Sequence, residues 1–329
     1  MLKYIIKRLA LSILILLGVS LIIYTLVRCM PYDYVEQKIA ALQSNTSLDA
    51  TAMQNMYEMY GLSDSSFLGI LKGYVSWLGS LCRLDFGTCF VYGEPVLDVI
   101  VDNMGVSFAV AIIATIFEFM IAIPLGITAA THQYSLRDYI VTILVMIGIS
   151  LPSFFFGQIL KDLFAMKLGW FPPSGLLDAS MSYSGIQFVI DYLRHLFIPI
   201  LTVVILSIGG RMRMTRTNML EVLNSDYIRT ARAKGLKESV VIYKHAFRNT
   251  MIPLVTTLAG LLPSLFSGAI ITEQVFDLPG IGNIAFKAMM QADVPFIMGY
   301  NMFLALLSVL GVLLADLMYA VVDPRVKLA

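Results

Sequence analysis

Apolar residues run through this chain in long blocks, and polar residues gather in the stretches between them. A bilayer core of about 30 Å takes roughly 20 residues of helix rising about 1.5 Å each. Six blocks meet that length: 9–29, 104–130, 139–162, 195–213, 251–272 and 296–322. The fourth is the weakest, because Pro199 and Gly209-Gly210 interrupt it and arginines begin at Arg211. It predicts a helix that tilts or runs on as an amphipathic segment into water. Pro124, Pro152, Pro199, Pro253 and Pro263 fall inside the blocks and predict kinks. Gly126, Gly148, Gly157, Gly260 and Gly268 leave room for close helix contact. The first block follows Lys3, Lys7 and Arg8, as the apolar stretch of a cleaved leader would. It is longer than the roughly 7–15 residues of such a stretch and no A-x-A site ends it, so it predicts an anchor.

Three polar segments separate blocks on one side of the expected bundle. The first follows the opening block and covers residues 31–103. Its first half predicts short helices around 34–43 and 48–60. Its second half carries Tyr74, Trp77, Leu78, Leu81, Phe86 and Phe90, amphipathic enough to lie on the membrane surface or cap the bundle. The second, 163–194, contains Trp170-Phe171-Pro172-Pro173, an interfacial anchor entering a rigid turn. The third, 273–295, contains Leu278-Pro279-Gly280-Ile281-Gly282, either a tight re-entry turn or a place where backbone approaches something closely. The expected organisation is an N-terminal transmembrane helix over 1–30, an extracytoplasmic segment over 31–103 and a five-helix core over 104–323. That core carries a loop at 211–250, and a short tail covers 324–329.

Composition agrees with lipid as part of the solvent. Of 329 residues, 58% are hydrophobic and 14% charged, with mean hydropathy +0.80. Soluble domains average roughly 45–50% apolar and about 25% charged. Disordered, collagenous and disulfide-framework classes are excluded by the same numbers.

The net charge of +1 hides an asymmetry. With the N-terminus inside, Lys3, Lys7, Arg8, Arg137, the nine cations from Arg211 to Arg248, Arg325 and Lys327 share that side. They are fifteen of the 23 Lys and Arg residues, and most sit in short loops beside spans. The positive-inside rule then makes both termini and the 211–250 loop cytoplasmic. Acidic residues such as Asp85, Glu94, Asp98 and Asp102 crowd the first outer segment.

Little on the chain points to catalysis or metal binding. Cys29, Cys82, Cys89, His132, His195 and His245 are too few and scattered for a metal cage. No G-x-x-x-x-G-K-[ST] loop occurs, so the chain does not bind ATP in that manner. The 19 methionines are spread without clusters and read as flexible packing. Cys82 and Cys89 lie outside the cytoplasm, where they form either a disulfide or two free thiols packed as small hydrophobes. Glu118 and Asp316 fall inside spans, where a carboxylate is expensive. Glu118 either lines a translocation cavity or is hydrogen-bonded between helices; Asp316, near the cytoplasmic end, reads as structural.

The informative stretch is Asp226-Tyr227-Ile228-Arg229-Thr230-Ala231-Arg232-Ala233-Lys234-Gly235. Asn224, Ser225 or Asp226 caps a short helix here. At helical spacing Tyr227, Ala231 and Gly235 share one narrow face, flanked by the basic stripe of Arg229 and Lys237 with Arg232 close by. A slim ridge with basic flanks suits insertion into a groove on another protein. Basicity is expected of any cytoplasmic loop, but topology gives no reason for an Ala/Gly ridge.

With His245-Ala246-Phe247-Arg248-Asn249 and Pro253, this stretch resembles the coupling-loop signature of bacterial ABC importer permeases. The closest branch moves oligopeptides, dipeptides and nickel. That family's usual motif begins Glu-Ala-Ala, with glycine four residues after the second alanine. Here Arg229-Thr230-Ala231 stands in its place, with Gly235 in register. Asp85-Phe86-Gly87-Thr88, Pro124-Leu125-Gly126, the stretch from Glu273 to Gly282, and Asp316 through Arg325 are similar to the same permeases. Residues Tyr32 to Tyr60 match least, and Cys82 and Cys89 lie outside the pattern.

The resemblance implies an all-α integral membrane protein with six transmembrane helices, the type I importer permease fold and a long extracytoplasmic loop after helix 1. It implies a non-catalytic subunit of the bacterial inner membrane, with no cofactor of its own. ATP and Mg would sit on two partner ATPases. A second homologous permease, an extracytoplasmic solute-binding protein and the lipid bilayer complete the expected partners; nucleic acid is not among them. Asp226, Tyr227, Arg229, Thr230, Ala231, Arg232 and Gly235 would form the ATPase-coupling helix. The solute would be an oligopeptide or dipeptide, with nickel or another small solute as the alternative. A stand-alone carrier would need inverted repeats and intramembrane charge pairs, and an intramembrane enzyme a histidine or serine constellation; neither reading finds them.

Overall fold

A computed structural model describes residues 2–28, 67–178 and 185–322 of the chain. The expected helices at 34–43 and 48–60, Cys29 and the 324–329 tail lie outside the described residues. The described chain is helical, with one isolated bridge between Thr88 and Pro95. Among the described residues four helices are long and apolar enough to cross a membrane, or up to five if a bent pair counts as one span. Two compact units share the chain, one built from Met1–Asn103 and Ile284–Val309, the other from Met104–Asn283 and Leu310–Leu328.

In order along the chain, α1 is Leu2–Arg28, α2 Phe67–Leu81, α3 Val96–Thr131, α4 Leu136–Ser150 and α5 Ser153–Leu160. A π-helical stretch, Lys161–Lys167, continues α5. Next come α6 Ile186–Leu223, α7 Asp226–Ala233 and the single turn α8 Glu238–Val240, which runs into a π-helical stretch Val241–Phe247. Then follow α9 Arg248–Thr256, α10 Leu261–Phe266, α11 Ile270–Val275, α12 Ile281–Met290 and α13 Val294–Val322.

Within the first unit, α2 folds onto α1. Tyr24, Val27 and Trp77 are buried together with Val294 and Met298. The Tyr24 ring meets Tyr74 edge-on at 5.5 Å, and Ser20 Oγ lies 2.8 Å from Tyr74 Oη. Several aromatic residues of the 67–101 segment thus face inward: Trp77 and Phe86 are buried and Phe90 packs against the same cluster, whereas Tyr92 is exposed. Aromatic pairs of this kind add about 0.5–1.5 kcal/mol beyond their burial.

Within the second unit, α3 and α6 pack closely where small residues meet. A Cβ on Gly126 would stand 2.6 Å from Thr215 Cβ and 2.9 Å from the Met212 carbonyl oxygen. Gly148 approaches Ile205, and Gly157 approaches Phe276 and Thr202. Gly260 differs, since a Cβ there meets nothing within 4 Å.

The block expected at 139–162 is broken, with α4 and α5 meeting at a bend of 102°. Pro152 supplies the cause. It disfavours helical geometry at the residue before it, and Leu151 is extended at φ −89, ψ 136. The block expected at 251–272 is likewise divided among α9, a 3-10 turn at Thr257–Gly260, α10 and α11, with Pro253 and Pro263 inside it. By contrast α6 runs 38 residues straight through Pro199 and Gly209-Gly210. Beside α6, Trp170 lies exposed and Phe171 stacks on Phe197 at 4.4 Å. Gly175 N donates to the Phe276 carbonyl at 2.9 Å and fastens that strap.

Candidate functional site

The short helix α7 follows α6 after a two-residue step at Asn224 and Ser225. Ser225 holds the N-cap position in extended geometry, but its Oγ donates back to the Val222 carbonyl at 2.6 Å instead of capping. Gly235, just past the end, has φ +74, a backbone that a Cβ disfavours, and its N donates to the Arg232 carbonyl. That glycine stops the helix. Arg232 then grips Glu238 with two hydrogen bonds, Nη2 to Oε1 at 2.7 Å and Nε to Oε2 at 3.3 Å. The guanidinium holds the Glu238 carboxyl below the usual carboxylate range. This fork closes the turn between α7 and α8.

Only two α7 side chains are buried, Ile228 and Ala231. They pack among Ile127 and Ala130 of α3, Met219 of α6, and Val241 and Ala246. The expectation of Ala231 as part of an outward ridge is therefore corrected. Ala231 is the small residue that lets α7 seat against its own bundle, three residues on from Ile228. Asp226, Tyr227, Arg229, Thr230 and Arg232 face outward, and Gly235 is exposed. Arg229 lies 3.6 Å from Asp226, both largely exposed, a pair of little energetic weight. The helix is thus fixed on one side and presents an aromatic and a basic surface on the other.

Glu118, on α3, is buried, and its Oε1 accepts from Arg211 Nε at 2.9 Å. The same guanidinium lies 4.9 Å from the Phe119 ring centre. Between its two open alternatives, the structure gives Glu118 a partner on the neighbouring helix. Asp316 sits within α13. Cys82 and Cys89 are not joined: both thiols are free, Cys82 exposed and Cys89 buried. Cys89 Sγ donates to Asp293 Oδ2 at 2.8 Å, and Val91 N donates to the same oxygen at 2.9 Å. Burial and the Asp293 carboxylate push the Cys89 thiol up to about 12. Of the two open alternatives the structure shows the free thiols, with Cys89 a donor inside the fold.

Two buried polar centres were not read from the sequence as such, although Glu273 opens a stretch that carries the family resemblance. Glu273 is fully buried and accepts from Ser107 Oγ at 2.7 Å, Ala269 N at 3.0 Å and Asn283 N at 2.8 Å. Ser107 Oγ in turn accepts from Ile281 N at 2.9 Å. A Cβ on Gly280 would lie 2.5 Å from the Glu273 carboxyl carbon, so the glycine-rich turn at 278–282 leaves space for this carboxylate. Asp138 is the other centre. Arg216 binds it through Nε at 2.9 Å and Nη2 at 2.8 Å, linking α4 to α6. Neither acid's partner is indicated by the residues beside it in the chain: Asp138 follows Arg137 yet pairs with Arg216.

Residues 122–328 match the family model described as the binding-protein-dependent transport system inner membrane component. The chain belongs to that family. It is 37% identical over 328 residues to the oligopeptide transport system permease protein AppB of Bacillus subtilis, covering 99% of this chain and all of that one. The dipeptide transport system permease protein DppB of Alkalihalophilus pseudofirmus is 32% identical over 342 residues, with coverage of 99% and 100%. Among solved structures, two crystal forms of the MetNI methionine ABC transporter share the fold. One has TM-score 0.51 at 18% identity and the other 0.55 at 17%, each covering 70% of this chain and 99% of the matched one.

Proposed function

We propose that this chain is a permease subunit of an ATP-driven peptide importer of the inner membrane, with both termini cytoplasmic. A second homologous permease forms the other half of a six-helix-per-subunit translocation pathway. A solute-binding protein delivers peptide from outside, and two ATPases, which carry ATP and Mg, dock from the cytoplasm. Family membership and the peptide-transport names of the relatives support the solute class.

The observation that carries the coupling role is the two-sidedness of α7. Ile228 and Ala231 bolt it to α3 and α6, so a displacement of α7 moves those helices as rigid bodies. Tyr227, Arg229 and Thr230 remain outward for an ATPase groove. Closure of the ATPases then rocks the long helices and opens the pathway to the outer side. In the assembled transporter, Tyr227→Ala combined with Arg229→Glu lowers peptide uptake by intact cells at least tenfold while membrane levels and ATP hydrolysis persist. Normal uptake by that variant would remove the coupling role from α7.

A further inference from the structure

Helix α2 has 15 residues and a single charge, Lys72. At about 1.5 Å per residue it is about 22 Å long, too short to cross a bilayer. One side of it is accounted for. Ile70, Tyr74, Trp77 and Leu81 recur at helical spacing and pack into the cluster with Tyr24, Val27, Val294 and Met298. A second sector is apolar too. Leu68, Leu71 and Val75 lie roughly 100–160° around the helix from Ile70, at about 100° per residue. They are 75%, 50% and 60% exposed. A helix with apolar residues on both its packed and its open side does not have the polar outer face of a helix in water.

The contacts with α1 fix the depth of that stripe. Tyr74 Oη lies 2.8 Å from Ser20 Oγ and donates to the Leu17 carbonyl at 3.3 Å. Leu17 and Ser20 belong to the apolar span Ile6–Val27 and stand ten and seven residues short of its Val27 end. Those steps are about 15 and 10 Å along the helix at about 1.5 Å per residue. A tyrosine side chain is shorter than either depth, so the backbone at Tyr74 itself lies below that end of the span. Val75 is the next residue and Leu71 is one turn away, so the stripe stands at the same level. There α1 itself exposes Leu17 and Leu21.

We infer that α2 is a half-span embedded beside α1, with Leu68, Leu71 and Val75 covered by the acyl chains of the bilayer. Lys72 borders the stripe, and its long stem carries the ammonium to the headgroup layer. The inference rests on the membrane reading of α1 and needs neither peptide nor ATPases, so loss of the coupling role leaves it standing. The test uses the full chain, with the subunits that copurify with it, reconstituted in liposomes and carrying one nitroxide label at a time. Leu71→Cys, Val75→Cys and, as the reference in water, exposed Glu94→Cys are labelled in a Cys29→Ser, Cys82→Ser background. Oxygen gathers in hydrocarbon, whereas chromium oxalate is ionic and stays in water. At positions 71 and 75 relaxation by oxygen exceeds relaxation by chromium oxalate about tenfold, because hydrocarbon expels ions. At position 94 chromium oxalate dominates. Chromium oxalate relaxation at 71 and 75 equal to that at 94 would put the stripe in water and overturn the inference. Relaxation by neither reagent would mean that protein covers the stripe, and would overturn it equally. An unchanged unfolding temperature verifies that each labelled chain is folded.

Discussion

Arg211 Nε donates to Glu118 Oε1 at 2.9 Å, tying α6 to α3 through side chains that are 21% and 10% exposed. A carboxylate in this position has its charge balanced within the fold. Glu118→Ala leaves the guanidinium without its partner, and breaking a buried pair costs about 3 kcal/mol. The variant's unfolding temperature in detergent falls, and the double variant Glu118→Ala, Arg211→Met regains most of the loss. Glu118→Gln keeps an acceptor for Arg211, so peptide uptake stays within twofold of wild type. Uptake abolished in Glu118→Gln at normal protein level would instead place the carboxylate in the solute pathway.

Glu273 and Gly280 form a fitted pair. Glu273→Ala strands the donors Ala269 N, Asn283 N and Ser107 Oγ in a buried site, at about 1–3 kcal/mol for each unsatisfied group. Glu273→Gln keeps two oxygen-directed contacts at most and loses less. Gly280→Ala drives a methyl to 2.5 Å from the carboxyl carbon and is destabilised by about 1–3 kcal/mol. Thermal denaturation of the three variants should rank Glu273→Ala lowest; a Gly280→Ala variant as stable as wild type would mean this turn relaxes freely.

At Gly235 the cost is of another kind. A methyl at this position would meet no neighbour within 4 Å, so only the φ of +74 opposes a side chain. Gly235→Ala should cost about 1 kcal/mol, confined to the end of α7. Hydrogen exchange of the α7 amides is the measurement, and protection equal to wild type would contradict the backbone argument.

The thiols of Cys82 and Cys89 should differ sharply in reactivity. In a Cys29→Ser background at pH 7.5, maleimide labels exposed Cys82 and spares Cys89 until the protein is unfolded. The pH dependence has a definite sign. Cys89 is raised from an ordinary 9.0 to about 12, so its contribution to stability is full below pH 9 and is lost as pH rises from 9 toward 12. Asp293→Asn removes the carboxylate that helps hold the thiol protonated, and Cys89 then ionises at lower pH. Rapid labelling of Cys89 in the native wild-type chain at pH 7.5 would contradict its burial.

The Arg232–Glu238 fork is exposed, and its effect is correspondingly slight. Glu238 lies below its ordinary carboxylate value, so the fork contributes above that value and is lost as acid protonates Glu238. Glu238→Gln should loosen α7 amide protection at neutral pH and leave the global unfolding temperature within about 1 °C. Salt at molar concentration should mimic the variant, because surface pairs are screened.

The long apolar helices were legible because length and hydropathy are local properties, and α1, α3, α6 and α13 fall on expected blocks. Pro152 marked a break, but its 102° angle depends on what α5 packs against. The short helix α7 was legible from Asp226 to Gly235, yet its inner face was not. Periodicity groups Ile228 with Ala231 only once Ile127 and Ala130, about a hundred residues earlier, are known to lie beneath them. The same limit hid Glu273 and Asp138. Their partners, Ser107 and Arg216, are supplied by the fold and not by neighbouring sequence.

The most direct test places a benzophenone amino acid at Tyr227 in the assembled transporter, irradiates native membranes and identifies the adduct by mass. Attachment of an ATPase subunit at position 227, with none at the exposed Trp170 position, is the expected result. An uptake-competent transporter whose position 227 captures no ATPase, or captures it no better than position 170, would contradict the account.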